Sequence, residues 1–361
     1  MKIIQVMPDF GLAGAETMVE NLSCGLVAEG HDVLVISFFE LHTAITERIE
    51  NSGIKIEYLG KKRGFDPSIV SKMRKIIKAY QPDVIHTHRY VLPYAFLASM
   101  GLQAKRVHTV HNVAQKEQTK VGKNINRVLF RHFNVVPVAL SEEIQKTIQE
   151  VYGLPISRVP VVFNGIDLSR CIVKESYARK DTFTVLHIGR FMDVKNQELL
   201  LRSFAWFKGQ YSDARLQLLG DGELKENMMQ LAGQLNIADA VEFAGLQSNV
   251  YPWLHNADVF ILPSKFEGMP MTLIEAMGTG LPIIASNVGG IPDMLTDQKD
   301  AVLIEPKEDC VISALELIYF DEEKRKYLGR NARDRSAVFS EKTMAKRYID
   351  VYIDASGEEV L

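Results

Sequence analysis

Short runs of aliphatic and β-branched residues alternate along the chain with longer segments whose apolar positions recur at helical spacing. In the first half, runs at residues 3–7, 33–36 and 107–110 are separated by segments of helix length, such as residues 14–28 and 69–80. Strands that alternate with helices form βαβ units, whose strands lie parallel in one sheet. The first half is therefore predicted to be an α/β domain.

The same alternation starts again in the second half. Apolar runs lie at residues 183–188, 216–219, 259–262 and 282–285. Each run leads directly into glycine, proline or serine, which is typical of strands that end in loops. The sequence therefore predicts a second parallel sheet, and each half is expected to be a Rossmann-like domain.

A polar segment without clear periodicity joins the two halves. It spans residues 164–182 and begins with a turn signal. We predict an N-terminal domain at residues 1–168, a C-terminal domain at residues 169–338 and a last segment at residues 339–361. That last segment carries apolar residues at helical spacing, and we expect its helix to pack back on the N-terminal domain.

Composition places the chain among ordinary globular proteins. Its 361 residues exceed what a single hydrophobic core usually serves, and 47% hydrophobic and 24% charged residues argue against long disorder. The three cysteines cannot form a closed disulfide framework, so a reducing cytoplasm is expected. No apolar run approaches the roughly 18 residues that span a bilayer. We expect a soluble cytoplasmic protein, with at most a peripheral membrane contact.

Candidate chemistry is densest between residues 264 and 277. A predicted strand ends at Pro263, a loop follows, and Pro270 is well placed as the first residue of a helix. The free N–H groups of such a helix start suit a phosphate. Two carboxylates, Glu267 in the loop and Glu275 in the helix, can accept hydrogen bonds from hydroxyl groups. The alternative is that Glu275 faces solvent and Glu267 is an ordinary loop acid.

Two cations follow the first strand of the second half. Arg190 and Lys195 lie where open α/β sheets bind ligands, and both side chains can bind phosphate oxygens. Gly11 and Gly14 follow the first strand of the chain, but they lack the spacing of a dinucleotide fingerprint, so NAD binding is disfavoured. A loop that lets a substrate approach the backbone is the functional interpretation there, and a plain turn is the alternative.

Four histidines lie at or just beyond predicted strand ends in the first half, namely His86, His88, His108 and His111. They lack the acidic or cysteine partners that a metal site needs, so no metal is expected. A histidine in a cleft can position or polarise a substrate group. We favour such a role for His111.

Taken together, these motifs resemble those of the retaining glycosyltransferases of the family-4 type, whose two-Rossmann-domain architecture is called GT-B. The most specific part is the pair Glu267 and Glu275, with seven residues between them. The supporting parts are residues 189–190 with Lys195, residues 164–167, residues 14–16, His111 and residues 289–292. The resemblance covers nearly the whole chain and implies an α/β GT-B fold with two parallel sheets facing across a cleft.

The resemblance also implies a reaction. A hexose or N-acetylhexosamine would pass from a nucleotide-sugar, with a UDP-sugar favoured over GDP-mannose, to a sugar acceptor. The acceptor is expected to be a lipid-linked oligosaccharide, in capsule, exopolysaccharide or O-antigen assembly. The nucleotide-sugar is a substrate, so no cofactor is implied. The alternatives are a nucleotide-sugar epimerase or a sugar phosphorylase on the same fold, or a non-catalytic sugar-nucleotide-binding partner in polysaccharide assembly.

The resemblance assigns roles to individual residues. Arg190 and Lys195 would hold the donor diphosphate, Glu275 the ribose and Glu267 the donor sugar, and His111 would reach the transferred sugar. The expected catalytic set is His111, Glu267, Arg190 and Lys195. Donor binding would be completed by Gly14, Gly268, Met269, Pro270 and Met271. The acceptor side would include Gly11, Glu16 and His86.

The implied mechanism is front-face attack with retention at the anomeric carbon. The leaving diphosphate would help to deprotonate the acceptor hydroxyl, and Arg190 and Lys195 would stabilise the charge that develops. No second carboxylate is placed as a nucleophile opposite a general acid, which separates this plan from that of paired-acid glycosidases. Because the two cations can act without a divalent ion, metal independence is expected.

The net charge of −3 conceals a basic segment. Residues 61–131 contain 15 basic and 3 acidic residues, which gives this segment a net charge of +12. No nucleic-acid-binding motif accompanies it, so a nucleic-acid partner is not expected. We favour contact with anionic lipid on the inner face of the cytoplasmic membrane, with Val128, Leu129 and Phe130 dipping into the interface. A solvated surface is the alternative.

Overall fold

The computed structural model describes residues 1–62, 64 and 66–353, and it contains two compact units. Unit 1 comprises residues 1–166 and the C-terminal part of the chain from residue 340, and unit 2 comprises residues 167–339. Each unit has one six-stranded sheet whose paired strands all run parallel. The predicted pair of α/β domains with parallel sheets is confirmed. Of the predicted segment 339–361, the last eight residues lie outside the described residues, as does Arg63 of the basic segment.

The sheet of unit 1 has the strand order β3-β2-β1-β4-β5-β6. Its strands are β1 (Lys2–Met7), β2 (Asp32–Ser37), β3 (Lys55–Tyr58), β4 (Val84–His88), β5 (Lys105–Val110) and β6 (Val135–Ala139). Its helices before the boundary are α1 (Gly14–Ala28), α2 (Ala44–Asn51), α3 (Ser68–Tyr80), α4 (Leu92–Ser99), α5 (Ala114–Glu117), α6 (Lys120–His132) and α7 (Glu142–Tyr152). Every residue of β4 is buried, because helices cover a parallel sheet on both faces.

The sheet of unit 2 has the strand order β12-β11-β10-β7-β8-β9. Its strands are β7 (Phe183–Ile188), β8 (Ala214–Leu219), β9 (Val241–Gly245), β10 (Val259–Leu262), β11 (Ile283–Ser286) and β12 (Val302–Ile304). Its helices are α8 (Gln197–Gln210), α9 (Lys225–Gln234), α10 (Tyr251–Asn256), α11 (Met271–Thr279), α12 (Ile291–Met294), α13 (Glu308–Phe320) and α14 (Glu322–Ser336). A cluster of buried aliphatic and aromatic side chains on the sheet and its helices forms the core.

The last helix, α15 (Glu341–Ile353), belongs to unit 1 and packs against α1. Its buried residues are Met344, Ala345, Tyr348 and Tyr352. Gly165 permits the chain to approach closely, because a Cβ atom at this position would lie 2.4 Å from the Ser340 carbonyl oxygen. The Glu341 N–H donates to the Ile166 carbonyl at 2.8 Å. The C-terminal helix therefore shares the core of the first strands of the chain.

In both sheets the order in which the chain adds strands reverses at the first strand, which we call the turning point of the sheet. In unit 1, β1 lies between β2 and β4, and in unit 2, β7 lies between β8 and β10. In each unit the chain therefore extends the sheet on one side of the first strand and then on the other. In open parallel sheets, ligands bind beyond the carboxyl ends of the strands at such a turning point. A ligand-binding site is therefore expected at the loops after β1, β4, β7 and β10.

Helix α6 corrects one expectation from the sequence. Leu129 and Phe130 are buried in unit 1, so the prediction that they dip into a membrane interface is wrong. Successive helical residues are about 100° apart around the axis, so three consecutive side chains cannot share one face. Val128 is exposed, together with Val121 and Ile125 at helical spacing from it. Among the described residues, every helix is too short or too polar to cross a membrane.

Candidate active site

Lys195 and Glu267 meet at the turning point of the unit 2 sheet. Lys195 follows β7 and Glu267 follows β10, and these strands are neighbours although the two residues are 72 positions apart. The Lys195 ammonium donates to Glu267 Oε1 at 2.6 Å, and the Ser264 hydroxyl donates to the same oxygen at 2.5 Å. Both charged side chains are largely buried. Because water screens such a pair less than an exposed one, the two side chains hold a defined geometry.

A neighbouring loop fixes the backbone of Glu267. The Gly290 N–H donates to the Glu267 carbonyl oxygen at 3.0 Å. Gly289 has a φ of +56°, and a Cβ atom there would lie only 1.9 Å from that same oxygen. Only glycine combines this left-handed conformation with so close an approach. The Gly-Gly pair after β11 is therefore a structural support of the Glu267 loop.

The loop that carries Glu267 leads into α11 without a side-chain cap. Pro270 is the N-cap residue, one position before the helical start predicted for it, and it has no side chain that can accept a cap hydrogen bond. Met269 and Met271 are buried on either side of it. The first N–H groups of α11 and the positive end of its dipole suit an anion, as expected from the sequence.

Glu275 is buried in the second turn of α11. This burial excludes the alternative that Glu275 is a solvent-facing helical residue. The charge of Glu275 affects two neighbours, Cys171 and Tyr251. Burial is the main cause and Glu275 the second cause that raise the pKa of Cys171 to about 12, and the same two causes raise the pKa of Tyr251. A carboxylate in such surroundings is a strong acceptor for hydroxyl donors.

Arg190 is exposed beyond the end of β7, and the buried side chain of Gln197 holds its backbone. Gln197 Nε2 donates to the Arg190 carbonyl oxygen at 3.0 Å and lies 3.3 Å from His187 Nε2. His187 Nδ1 lies 2.9 Å from the Ile261 carbonyl oxygen, which can only accept, so Nδ1 carries the proton. Burial lowers the pKa of His187 to about 4, which keeps the ring neutral. Sequence reasoning did not assign His187 or Gln197 to the site.

Glu16 forms an ion pair at the turning point of the unit 1 sheet. Arg89, the first residue after β4, donates from Nη1 to Glu16 Oε1 at 2.7 Å. Burial raises the pKa of Glu16, and the Arg89 charge partly offsets that rise. Arg89 has a φ of +58°, which is uncommon for a residue with a side chain. Arg89 is a candidate site residue that the sequence did not reveal, because its partner lies 73 positions away.

Gly11 and Gly14 lie in the loop between β1 and α1, beside this ion pair in the chain. The Gly11 N–H donates to Asp9 Oδ1 at 3.3 Å, and Gly14 is the exposed first residue of α1. The N-cap residue of α1 is Ala13, whose methyl group makes no cap hydrogen bond. The first N–H groups of α1 therefore receive no hydrogen bond from a side chain at the N-cap position.

His111 lies just beyond β5, against a second histidine. Its Nε2 is 3.0 Å from His88 Nδ1, and its backbone N–H donates to Glu117 Oε1 at 3.3 Å. Burial lowers the pKa of His111 to about 3 and raises that of Glu117 to about 7. A neutral imidazole next to a carboxyl group that titrates near neutrality can orient a polar substrate.

His86 lies in the interior of unit 1, where it is fully buried. Its Nδ1 is 2.7 Å from the Tyr352 hydroxyl and its Nε2 is 2.8 Å from Thr109 Oγ1, so both ring nitrogens have partners. This burial counts against the expected contact of His86 with an acceptor. His86 is the third of the five residues of β4 and does not lie at the strand end predicted for it, and its side chain is in the core because β4 is covered on both faces.

Comparison with known proteins assigns both units to glycosyltransferase families. The family described as "Glycosyltransferase Family 4" matches residues 12–170, and that described as "Glycosyl transferases group 1" matches residues 171–335. The chain is 28% identical over 312 residues to the N-acetyl-alpha-D-glucosaminyl L-malate synthase of Bacillus anthracis, covering 82% of this chain and 81% of that protein.

Two further comparisons agree with these matches. The chain is 28% identical over 199 residues to the N-acetylgalactosamine-N,N'-diacetylbacillosaminyl-diphospho-undecaprenol 4-alpha-N-acetylgalactosaminyltransferase of Campylobacter jejuni, covering 54% of this chain and 53% of that protein. The solved structure of Anabaena HepE in complex with UDP and glucose shares the fold, with a TM-score of 0.86 at 18% identity over 98% of this chain and all of that one. The chain therefore belongs to the glycosyltransferases of the family-4 type and has the GT-B fold.

Proposed function

We propose that this glycosyltransferase moves a hexose or N-acetylhexosamine from a nucleotide-sugar to a sugar acceptor with retention of configuration. The proposal rests on the Lys195–Glu267 pair, which lies at the turning point of the unit 2 sheet and on the loop that leads into α11. A cation, a carboxylate and free backbone donors in one loop system suit a diphosphate joined to a hydroxyl-rich sugar. A UDP-sugar is favoured over GDP-mannose, in keeping with the UDP in the HepE complex.

Each candidate site residue of unit 2 has a proposed role in binding this donor. Lys195 and Arg190 bind the diphosphate, and the N–H groups at the start of α11 add neutral donors to the same oxygens. Glu267 accepts from hydroxyls of the sugar, since its Oε2 lies outside the two bonds that hold Oε1. Glu275 accepts from the ribose hydroxyls. In unit 1, His111 contacts the transferred sugar.

The proposed chemistry is a front-face displacement. The acceptor oxygen bonds to the anomeric carbon on the face from which the diphosphate leaves, the bond between that carbon and the diphosphate oxygen breaks, and the acceptor proton passes to the diphosphate. Lys195 and Arg190 stabilise the negative charge that grows on the leaving group. Two cations can supply this stabilisation, so we propose that transfer needs no divalent metal.

The acceptor is proposed to be a lipid-linked oligosaccharide, presented at an anionic membrane surface during assembly of a surface polysaccharide. The name of the Campylobacter jejuni relative specifies a diphospho-undecaprenol compound. Within the basic segment 61–131, helix α6 carries four cations and no carboxylate. Its exposed residues Val121, Ile125 and Val128 form an apolar stripe that can enter a lipid interface. This contact would place the protein on the inner face of the cytoplasmic membrane.

Donor turnover tests the function directly. The purified protein is mixed with UDP-glucose, UDP-N-acetylglucosamine or GDP-mannose and a lipid-linked acceptor extract, with and without EDTA, and nucleoside diphosphate release is measured. We expect release from one UDP-sugar at an EDTA-independent rate, and an axial linkage in the product by proton NMR. Absence of turnover with every donor and acceptor would contradict glycosyl transfer, and an inverted linkage would contradict retention alone.

A further inference from the structure

Two fully buried side chains in unit 1 connect His111 to the protein interior. His111 Nε2 lies 3.0 Å from His88 Nδ1, and His88 Nε2 lies 2.9 Å from Gln5 Oε1. Gln5 is on β1 and His88 ends β4, so the contact crosses neighbouring strands at the turning point of the sheet. Neither Gln5 nor His88 has any solvent exposure.

The orientation of the Gln5 amide gives this chain of hydrogen bonds a direction. Gln5 Oε1 can only accept, so His88 must carry its proton on Nε2. Burial, first, and then the neighbouring histidines lower the pKa of His88 well below its usual value, so the ring is neutral and its Nδ1 has a lone pair. That lone pair accepts from His111 Nε2, which must therefore be protonated. The Nδ1 atom of His111 is left without a proton.

The C-terminal helix α15 contacts the other end of this series of hydrogen bonds. Gln5 Nε2 donates to the Tyr352 hydroxyl at 3.4 Å, and that hydroxyl lies 2.7 Å from His86 Nδ1. Beyond it, His86 Nε2 is 2.8 Å from Thr109 Oγ1. These bonds run in one direction: Tyr352 accepts from Gln5 and donates to His86, which donates to Thr109. The Gln5 amide thus joins His88 to α15, and the donor and acceptor roles along these buried bonds follow from its orientation.

We propose that His88 and Gln5 are positioning residues that hold His111 in the Nε2-protonated tautomer, so that its Nδ1 is a fixed acceptor for a hydroxyl of the transferred sugar. This inference rests on the proposed function only for the role of the sugar. The placement of the proton itself is a property of the free protein. The proposal also assigns a role to His86, which stabilises this series of hydrogen bonds from the interior and does not contact the acceptor.

The tautomer is read directly by NMR on the full-length protein labelled with nitrogen isotope in its histidines. The resonances of His111 are those that disappear in His111→Gln. We expect a protonated Nε2 and a bare Nδ1 in the wild type, a mixture of tautomers in His88→Leu and in Gln5→Leu, and recovery in His88→Asn. Asparagine keeps an oxygen acceptor near the position of Nδ1. A proton on His111 Nδ1 in the wild type, or an unchanged tautomer in both leucine variants, would overturn the proposal.

Steady-state kinetics of the same variants test whether His88 affects sugar transfer. His88→Leu is expected to lower kcat about tenfold, as for loss of one buried hydrogen bond, and to change the donor KM by less than about twofold. His88→Asn should recover most of this loss. The matched control is Thr87→Val, which removes two other buried hydrogen bonds of β4, to the Val107 carbonyl and to His108 Nδ1, and should leave kcat unchanged. An equal loss in Thr87→Val would reduce His88 to a core residue. If the wild type transfers no sugar, the proposed function fails while the spectra still decide where the proton lies.

Discussion

Lys195 is the single side chain on which the proposed chemistry depends most. Its ammonium is held on Glu267 Oε1, so the charge is in place before a donor arrives and needs no rearrangement in the transition state. Lys195→Ala is therefore expected to lower kcat by about two orders of magnitude, by analogy with the loss of one electrostatic donor. Steady-state turnover of the donor measures this effect.

Arg202→Ala serves as the control for that variant. Arg202 forms an exposed ion pair with Glu198 in α8, only seven residues further along the chain. Removing an exposed pair costs about 0.5 kcal/mol or less, so turnover should stay at the wild-type value. Equal activity of both variants and the wild type would show that the diphosphate is bound elsewhere.

Glu117 predicts a pH dependence of stability in unit 1. Burial raises its pKa from 4.5 to about 7 in the folded chain, so the folded state binds a proton more tightly than the unfolded state does. The stability that this carboxyl contributes is fully present below its unfolded pKa and is lost as the pH rises through about 7. Glu117→Gln, which stays neutral, should therefore gain stability over the wild type between those two pH values, by at most about 3 kcal/mol.

Urea unfolding of the wild type and of Glu117→Gln at pH 5 and pH 8 measures that gain. The comparison between the two proteins removes the contribution of the buried histidines, which acts in the opposite sense because their pKa values are lowered. Glu50→Gln, an exposed change in α2, is the control and should show the same small difference at both pH values. A stability difference for Glu117→Gln that does not vary with pH would contradict the raised pKa.

At the scale of elements, the loop after β11 determines where Glu267 sits. Gly289→Ala would place a methyl group 1.9 Å from the Glu267 carbonyl oxygen and force a side chain into left-handed backbone, so the loop must move. We expect a loss of donor affinity of about tenfold and a destabilisation of about 1–2 kcal/mol. Calorimetric titration with UDP and thermal unfolding measure the two effects.

Gly209→Ala in α8 is the matched change for Gly289→Ala. A Cβ atom there would meet no atom within 4 Å, and the residue is helical, so alanine should stabilise the protein by about 0.5–1 kcal/mol. Its affinity for UDP should match that of the wild type. If Gly289→Ala also bound UDP like the wild type, the loop after β11 would not control the Glu267 position.

Elements and their order were predictable from the sequence to a greater extent than the contacts between them. Apolar runs of strand length mark β7 and β10, so Lys195 and Glu267 were both expected at strand ends. Their pairing was not, because it depends on β10 returning to lie beside β7. The same reason hides the Glu16–Arg89 pair, which needs β4 next to β1. The prediction of membrane contact for Leu129 and Phe130 was wrong for a local reason. A run of apolar residues does not show which of them face the core and which face solvent once the run is helical.

At the scale of the molecule, each unit has a largely buried carboxylate paired with a cation at the turning point of its sheet. Lys195 with Glu267 serves unit 2, and Arg89 with Glu16 serves unit 1. In both pairs the carboxylate is the more buried partner, so its negative charge orients the cation, of which Arg89 is 44% exposed and Lys195 only 17%. A carboxylate with one oxygen neutralised in this way can stand close to an anionic substrate without repelling it as strongly as a free one.

The distribution of charge over the molecule predicts membrane binding that the net charge of −3 does not suggest. Val121, Ile125 and Val128 are 69%, 39% and 48% exposed on one stripe of α6, and Lys120 and the other cations of the helix accompany them. Each such cation near an anionic bilayer contributes about 1 kcal/mol. Sedimentation with vesicles should therefore show binding to phosphatidylglycerol-containing vesicles, little binding to pure phosphatidylcholine, and release by high salt.

The stripe and the cations make separable contributions to that binding. Serine at Val121, Ile125 and Val128 removes the apolar term, so bound protein should fall while the remaining binding keeps its salt dependence. Leu246→Ser changes an equally exposed apolar side chain of unit 2 and should leave sedimentation unchanged. Equal binding of the wild type to neutral and anionic vesicles would remove the electrostatic argument. Full binding by the triple-serine variant would show that α6 lies at the surface of the bilayer without entering it.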